Sequence, residues 1–220
     1  MRTNRIALPL VLFLLVCLAA PALAASEKPE KPAKPNGCAP EYRAIYDHAI
    51  VGFKGTGDRD IVVVTDPLCW HCRLGHKLLG EYPELYRNVR LSFFPRRSFI
   101  GSDMAAWILE DSVKRPDLKK LIDYAYKDLK QPRTDDLMDA RMIVLMQFTD
   151  AFPELLKGTS LPELYARLQV EHEPHVREDA DLSRAVDFPG TPVLITGDTV
   201  IVGYSPGFWI KALKQSAVCK

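Results

Sequence analysis

One tetrapeptide constrains the chain more than any other stretch: Cys69-Trp70-His71-Cys72. It follows a β-branched run, Asp60-Ile61-Val62-Val63-Val64-Thr65, and precedes a helical pattern from about Arg73 to Glu81. A strand that turns into a helix on a C-x-x-C is the sequence form of a dithiol site. The attacking species in thiol chemistry is the thiolate, and a helix N-terminus favours it through unpaired N–H groups and the helix dipole. Cys69 is expected at that end. Cys72 is expected one turn inside, within reach of a mixed disulfide formed on Cys69.

Blander uses of the same four residues fit less well. A c-type haem site needs histidine directly after the second cysteine, where this chain has Arg73. Structural zinc needs about four ligands. His76 could join the two cysteines, but no second C-x-x-C or H-x-x-x-H follows. A closed, purely structural disulfide loop is the remaining alternative. No metal and no cofactor is expected.

Residues 1–24 have the form of a secretory signal: Arg2 and Arg5, an apolar run from Ile6 to Ala20, Pro21, then Ala22-Leu23-Ala24. An uncleaved anchor is the competing reading, because the run is nearly long enough to span a bilayer. A lipoprotein would use Cys17, which the bulky Val16 before it argues against. Either way the remainder is exported, into a compartment where disulfides persist. The formal charge of +1 becomes −1 once Arg2 and Arg5 are removed, so no basic excess points to nucleic acid. Residues 25–40 read as a linker. Pro29, Pro32 and Pro35 recur at every third position, which suits an extended polyproline segment. Residues 41–220 then suit a single domain.

Export leaves Cys38, Cys69, Cys72 and Cys219, which allow three pairings. With 69–72 as the redox pair, Cys38 and Cys219 remain, near the two ends of the domain, and domain termini are often close. They form either a structural bridge or two free or intermolecular thiols. A bridge closing almost the whole domain would stabilise it by roughly 4–5 kcal/mol through chain entropy.

In chain order, a short helix is expected from Glu41 to about Val51, then a turn-rich connection from Gly52 to Arg59, the strand at 60–65 and the redox helix, ended by Pro83. Val89–Phe94 alternates as a strand. From Asp103 to about Leu182 the pattern is helical, with a stretch near Leu161–Leu168 opened by Pro162, and with His172 and His175 flanking Pro174 in a loop. Met138, Met142 and Met146 are helically spaced and are expected to pack. Val193–Thr196, Gly197-Asp198 and Thr199–Val202 form a hairpin. A last helix runs from Phe208 to Ala217, with Ile210 and Leu213 inward. The fold class is α/β: a thioredoxin-like mixed sheet with a helical insertion at about 101–187, between the βαβ unit and the C-terminal hairpin.

Thr65-Asp66-Pro67-Leu68-Cys69-Trp70-His71-Cys72 resembles the active-site strand and turn of the Dsb family of bacterial periplasmic thiol–disulfide proteins, and most resembles the catalytic domain of the isomerases DsbC and DsbG. Ile50-Val51-Gly52-Phe53, Phe94-Pro95-Arg96, Gly190-Thr191-Pro192, Gly203-Tyr204 and His76 carry the same likeness, which covers most of 45–216 and is thin within the insertion. The resemblance implies a cis Thr191–Pro192 bond opposite the redox pair, with Thr191 pairing through its backbone with bound substrate. It implies a periplasmic location, with unfolded or misfolded exported proteins as partners and a membrane thiol reductase or oxidase that resets the pair. Some positions depart from that pattern. No N-terminal dimerisation domain is visible, and the extra cysteine pair of DsbC is missing, with Ile108 after Trp107. His71 in the third motif position is as in the oxidase DsbA. The buried acid of thioredoxin and DsbA, six residues before the first cysteine, is here Val63.

Cys69 and Cys72 are therefore the expected catalytic pair. His71 is expected to stabilise the thiolate and Trp70 to form an apolar rim. An isomerase or reductase is the leading expectation. A DsbA-like oxidase is the alternative among enzymes, and a non-catalytic metal- or haem-handling chaperone using the two thiols as soft ligands is the alternative outside them.

Overall fold

The computed structural model describes residues 35–219. The expected signal and most of the linker lie outside that range. No helix among the described residues is long and apolar enough to cross a membrane.

Five strands form one mixed sheet: β1 (Ile50–Lys54), β2 (Asp60–Thr65), β3 (Asn88–Phe93), β4 (Val193–Thr196) and β5 (Thr199–Val202), in spatial order β1-β3-β2-β4-β5. β2 is central. It pairs parallel with β3, from Asp60 opposite Asn88 to Thr65 opposite Phe93, and antiparallel with β4. The near-continuous apolar run of β2 is what a strand covered on both faces requires. Alternation then divides it. Ile61 and Val63 enter one core with residues of α2 (Trp70–Glu81), α3 (Ser102–Asp111) and α4 (Leu118–Lys127). Val62 and Val64 enter a second core with Tyr42 and Ile45 of α1 (Pro40–His48), Phe94 and Phe188.

The strand β1 was not expected from the sequence. Ile50-Val51-Gly52-Phe53-Lys54 pairs antiparallel with β3, and α1 stops at His48 to release it. The register shifts between Val51 and Phe53. A Cβ on Gly52 would sit 2.8 Å from Leu91, so the glycine that reads as a turn instead permits close strand contact.

The helical block contains α3, α4, α5 (Leu137–Ala151) and α6 (Leu161–Ala185). α6 opens on a capping box between Ser160 and Glu163 and continues through Pro174 for 25 residues. The expected loop around His172 and His175 is therefore helix. An interior proline costs roughly 3 kcal/mol, offset here by burial of the apolar Val176 and Ala180. The second half of α6 packs on α1 and β3, so it covers the sheet rather than only extending the insertion. Met138 and Met146 are 53% and 47% exposed, against the expectation that they pack, and only Met142 of the three meets the core. The last helix, α7 (Pro206–Gln215), starts earlier than expected and buries Trp209, Ala212 and Leu213, with Ile210 only partly covered.

Cys38 and Cys219 are bonded, with Cα atoms 5.3 Å apart. Residues 36–39 of the expected linker belong to the domain. Asn36 bridges Thr199, and the Gly37 N–H donates to the Asp198 carbonyl.

Candidate functional site

Cys69 is the N-cap of α2, at the C-terminal end of central strand β2. Its N–H donates to the Asp66 carbonyl (3.0 Å), and its carbonyl receives the Arg73 N–H (3.1 Å), which closes the first helical turn. Cys72 lies on that turn. Both residues are buried, 4% and 2% exposed, and both are free thiols.

The two sulfurs differ in kind. A hydrogen bond from Cys72 is the main influence that holds the Cys69 thiol down to about 5; the Thr191 side chain and the backbone N–H groups of Cys72 and His71 add to it, against burial. Burial pushes the Cys72 thiol well up, and the neighbouring Cys69 adds to that. At neutral pH the site therefore holds a thiolate at Cys69 and a thiol at Cys72. His71 acts on Cys69 through its backbone N–H, and its side chain is exposed. The sequence expectation had placed that influence in the residue without distinguishing its backbone from its imidazole. Trp70 is 65% exposed beside the pair.

The Thr191–Pro192 peptide is cis and faces the pair. The Cys69 thiol donates to the Thr191 carbonyl at 3.6 Å. The Thr191 hydroxyl is buried without a conventional partner, and it lies near enough to lower both thiols. The Gly203 N–H donates to the Pro192 carbonyl (2.8 Å) and anchors this loop to the end of β5.

Asp66 was missed as a site residue. Val63, at the position where thioredoxin has its acid, is core, but Asp66 supplies a fully buried carboxylate three residues before Cys69. Its Oδ1 accepts the Leu68 N–H (2.8 Å), and its Oδ2 accepts the Arg96 N–H (2.8 Å) and the Ser102 hydroxyl (3.0 Å). Its own N–H reaches Cys72 Sγ at 3.5 Å. Burial pushes the carboxyl up to about 7 against the pull of these donors. The available signal was Asp66-Pro67, since Asp commonly bonds its own backbone two residues on.

Beneath the pair, burial lowers the His76 pKa although His76 Nε2 meets Asp123 at 2.8 Å. His76 stacks on Tyr126, with centroids 4.9 Å apart. The Tyr126 hydroxyl shares a 2.9 Å hydrogen bond with Thr65, and burial followed by the charge of Cys72 pushes that phenol well up. On the other side a Cβ on Gly75 would lie 2.7 Å from the Trp209 ring, so glycine lets α7 close against α2.

The remaining histidines are not simply solvated. His48 and His175 stack with centroids 3.9 Å apart. His48 Nδ1 meets Asp179 (2.9 Å), and His175 Nδ1 meets Glu110 (2.8 Å). His48, His175 and Asp179 offer ligand atoms within 4.8 Å of one another, as do Asp111, Glu171 and His172. Asp179 is already served by the Ser92 hydroxyl and the Phe93 N–H, and Asp111 by Arg167. Hydrogen bonds thus engage the Asp179 carboxylate and an ion pair engages Asp111.

No protein-family model and no curated protein matches the chain. Solved structures do. The chain is similar to ScsC of Proteus mirabilis, at 21% identity over 83% of this chain and 80% of that one, with TM-score 0.57. It is similar to a thioredoxin-like oxidoreductase from Silicibacter pomeroyi DSS-3, at 18% identity over 76% and 90%, with TM-score 0.53. It is also similar to the thiol-disulfide exchange protein alpha-DsbA2 from Wolbachia pipientis, at 12% identity over 79% and 92%, with TM-score 0.53. The likeness is to thioredoxin-like folds and does not single out the DsbC and DsbG catalytic domains. At these identities it is a likeness of fold, and the fold of this chain is thioredoxin-like.

Proposed function

We propose that the chain is an exported thiol–disulfide oxidoreductase acting on protein disulfides through Cys69 and Cys72. The observation that carries this reading is the division of the pair. Cys69, held down to about 5, is a thiolate at the mouth of a helix, while Cys72 is a buried thiol pushed well up. One nucleophile and one reserve are what a two-step exchange uses.

In the first step Cys69 Sγ attacks one sulfur of a client disulfide. A Cys69–client bond forms, the client S–S bond breaks, and the second client cysteine leaves as a thiolate. If a different client thiolate then attacks the client sulfur of that mixed disulfide, a new client S–S bond forms, the Cys69–client bond breaks, Cys69 leaves as a thiolate, and the result is isomerisation. If Cys72 loses its proton and attacks Cys69 Sγ, the client is released reduced and the protein carries a Cys69–Cys72 disulfide. The reverse sequence oxidises a client dithiol and leaves the protein reduced. Once Cys69 is ionised, the Thr191 carbonyl loses its thiol donor and can accept a backbone N–H from a client strand. Trp70 offers an apolar rim beside the attacking sulfur.

The isomerase reading rests on Thr65–Cys72 and Gly190-Thr191-Pro192, with misfolded exported proteins as clients in the periplasm and a membrane thiol reductase keeping the pair reduced. The low thiol at Cys69 favours a second reading, since a stabilised thiolate makes the disulfide more oxidising; a membrane oxidase would then reset it. Reactivation of scrambled ribonuclease by catalytic amounts of protein, with Cys69→Ser as control, tests the first. No reactivation, together with rapid oxidation of reduced ribonuclease by the disulfide form, replaces it with the second.

A further inference from the structure

An open groove of about 1340 Å³ begins at the thiol turn and runs between the end of α4 and the face of α5. It exceeds the roughly 300–1,000 Å³ of small-molecule sites. Leu68 and Trp70, the neighbours of Cys69, form its near end, and Ile143 of α5 lies along it. The exposed indole of Trp70 and the 37% exposed Ile143 leave apolar surface facing solvent on both walls.

The groove has a built wall. The Gln147 side chain clamps the segment after α4 at both groups of one residue, accepting the Lys130 N–H (2.9 Å) and donating to the Lys130 carbonyl (3.1 Å). The Tyr124 hydroxyl donates to the Gln147 carbonyl (2.9 Å), and the Arg73 guanidinium donates to the Leu129 carbonyl. That last bond ties the wall to the redox helix itself.

The wall is also charged with one sign in excess. Arg73, Lys127, Lys130 and Arg133 line it against Asp128 and Asp150. Lys127 pairs with Asp123 at 3.6 Å, outside the groove. Lys130 and Arg133 are exposed and have no ion-pair partner among the described residues. Without Arg2 and Arg5 the chain carries a formal −1, so this wall is locally positive on a nearly neutral protein.

We propose that this groove holds the client polypeptide flanking the cysteine attacked by Cys69, and that it selects segments carrying apolar and acidic side chains. An apolar client residue packs against Trp70, Leu68 and Ile143, while carboxylates face Lys130 and Arg133. Charge opposite to the wall raises the rate of encounter more than it deepens binding. The proposal rests on the thiol-exchange reading of the same site.

The test uses the reduced full-length protein and three synthetic peptides. Each carries one activated cysteine disulfide, with flanks that are acidic, uncharged or basic and otherwise alike. Each peptide rate is divided by the rate of the same protein with dithiodipyridine, a small uncharged disulfide that needs no groove. The acidic peptide should exchange faster than the basic one by about tenfold at low ionic strength, the lower end of electrostatic steering. The gap should shrink towards parity at about 0.5 M salt, where charges are screened within a few ångströms. Lys130→Glu combined with Arg133→Glu, both at exposed positions, should reverse the order of the peptides. Equal normalised rates for the three peptides would overturn the proposal, as would a preference unchanged in the double variant. Failure of Cys69 to react with dithiodipyridine would instead overturn the thiol-exchange reading, and the groove proposal with it.

Discussion

At the scale of residues, the site is a contrast between two sulfurs three positions apart. Cys69 takes a hydrogen bond from Cys72 and is favoured by the first N–H groups of α2, whereas Cys72 is enclosed. Alkylation of the reduced protein by iodoacetamide should therefore modify one thiol, Cys69, with a rate that rises through a midpoint near 5 and then levels off. A midpoint near the ordinary thiol value of about 8.5 would show that the hydrogen bonds do not act on the thiolate. Asp66 is the other residue-scale determinant. Its two oxygens accept three donors inside the protein. Asp66→Asn keeps the shape but replaces one acceptor with an NH₂ group facing a donor. It also removes the carboxyl that burial pushes up to about 7, so the fall of stability between about pH 4 and 7 that a raised carboxyl causes should flatten in the variant, read from urea midpoints of the oxidised protein.

At the scale of elements, α2 is held by what it touches. Gly75 lets the fully buried Trp209 of α7 lie against it, and the Trp209 indole N–H is fixed to the Gly203 carbonyl at 3.0 Å. Gly75→Val should destabilise by about 1–3 kcal/mol through overpacking. Gly80→Ala on the same helix, where a Cβ meets nothing within 4 Å, should stabilise by about 0.4–1 kcal/mol. Thermal melts of the two variants moving in the same direction would refute this account of the α2–α7 contact. The His48–His175 stack joins α1 to α6, and His175 reaches Glu110 of α3. A hydrogen bond to Asp179 chiefly raises His48, and one to Glu110 chiefly raises His175. A histidine raised on folding contributes stability that is full below its unfolded pKa of about 6.5 and is lost as pH rises through the folded value. In the oxidised protein, where Cys69 and Cys72 do not titrate, stability measured by urea unfolding should thus fall as pH rises above about 6.5. His48→Gln should flatten that fall; an unchanged slope would remove His48 from it.

At the scale of the whole molecule, the Cys38–Cys219 bridge closes a loop with a sequence separation of 181 around all five strands. Replacing both cysteines by serine should lower stability by roughly 4–5 kcal/mol in the chain-entropy account, measured from denaturant midpoints. Non-reducing peptide mapping should recover residues 38 and 219 in one linked pair, and an alkylatable thiol at either position in the native protein would contradict the pairing. The bridge lies apart from Cys69, so its loss should leave the alkylation midpoint of that thiol in place.

The sequence by itself determined what depends on local order: the strand–C-x-x-C–helix unit, the hairpin around Gly197-Asp198, and the helical character of the middle of the chain. These follow from β-branched runs, turn residues and apolar periodicity, all of which act over a few residues. Only the tertiary structure decided what depends on meetings between distant segments. Ile50–Lys54 became a strand because β3 offered it an edge, although Gly52 reads locally as a turn. α6 ran through Pro174 because burial against α1 and β3 outweighed the lost helical bond. Asp66 became a buried acid because Arg96 and Ser102, 30 and 36 residues away, close over it. The thiols themselves were legible from spacing alone. Their division into thiolate and thiol was not, because it comes from the hydrogen bond Cys72 gives Cys69 and from the burial of Cys72, which only the packed fold provides.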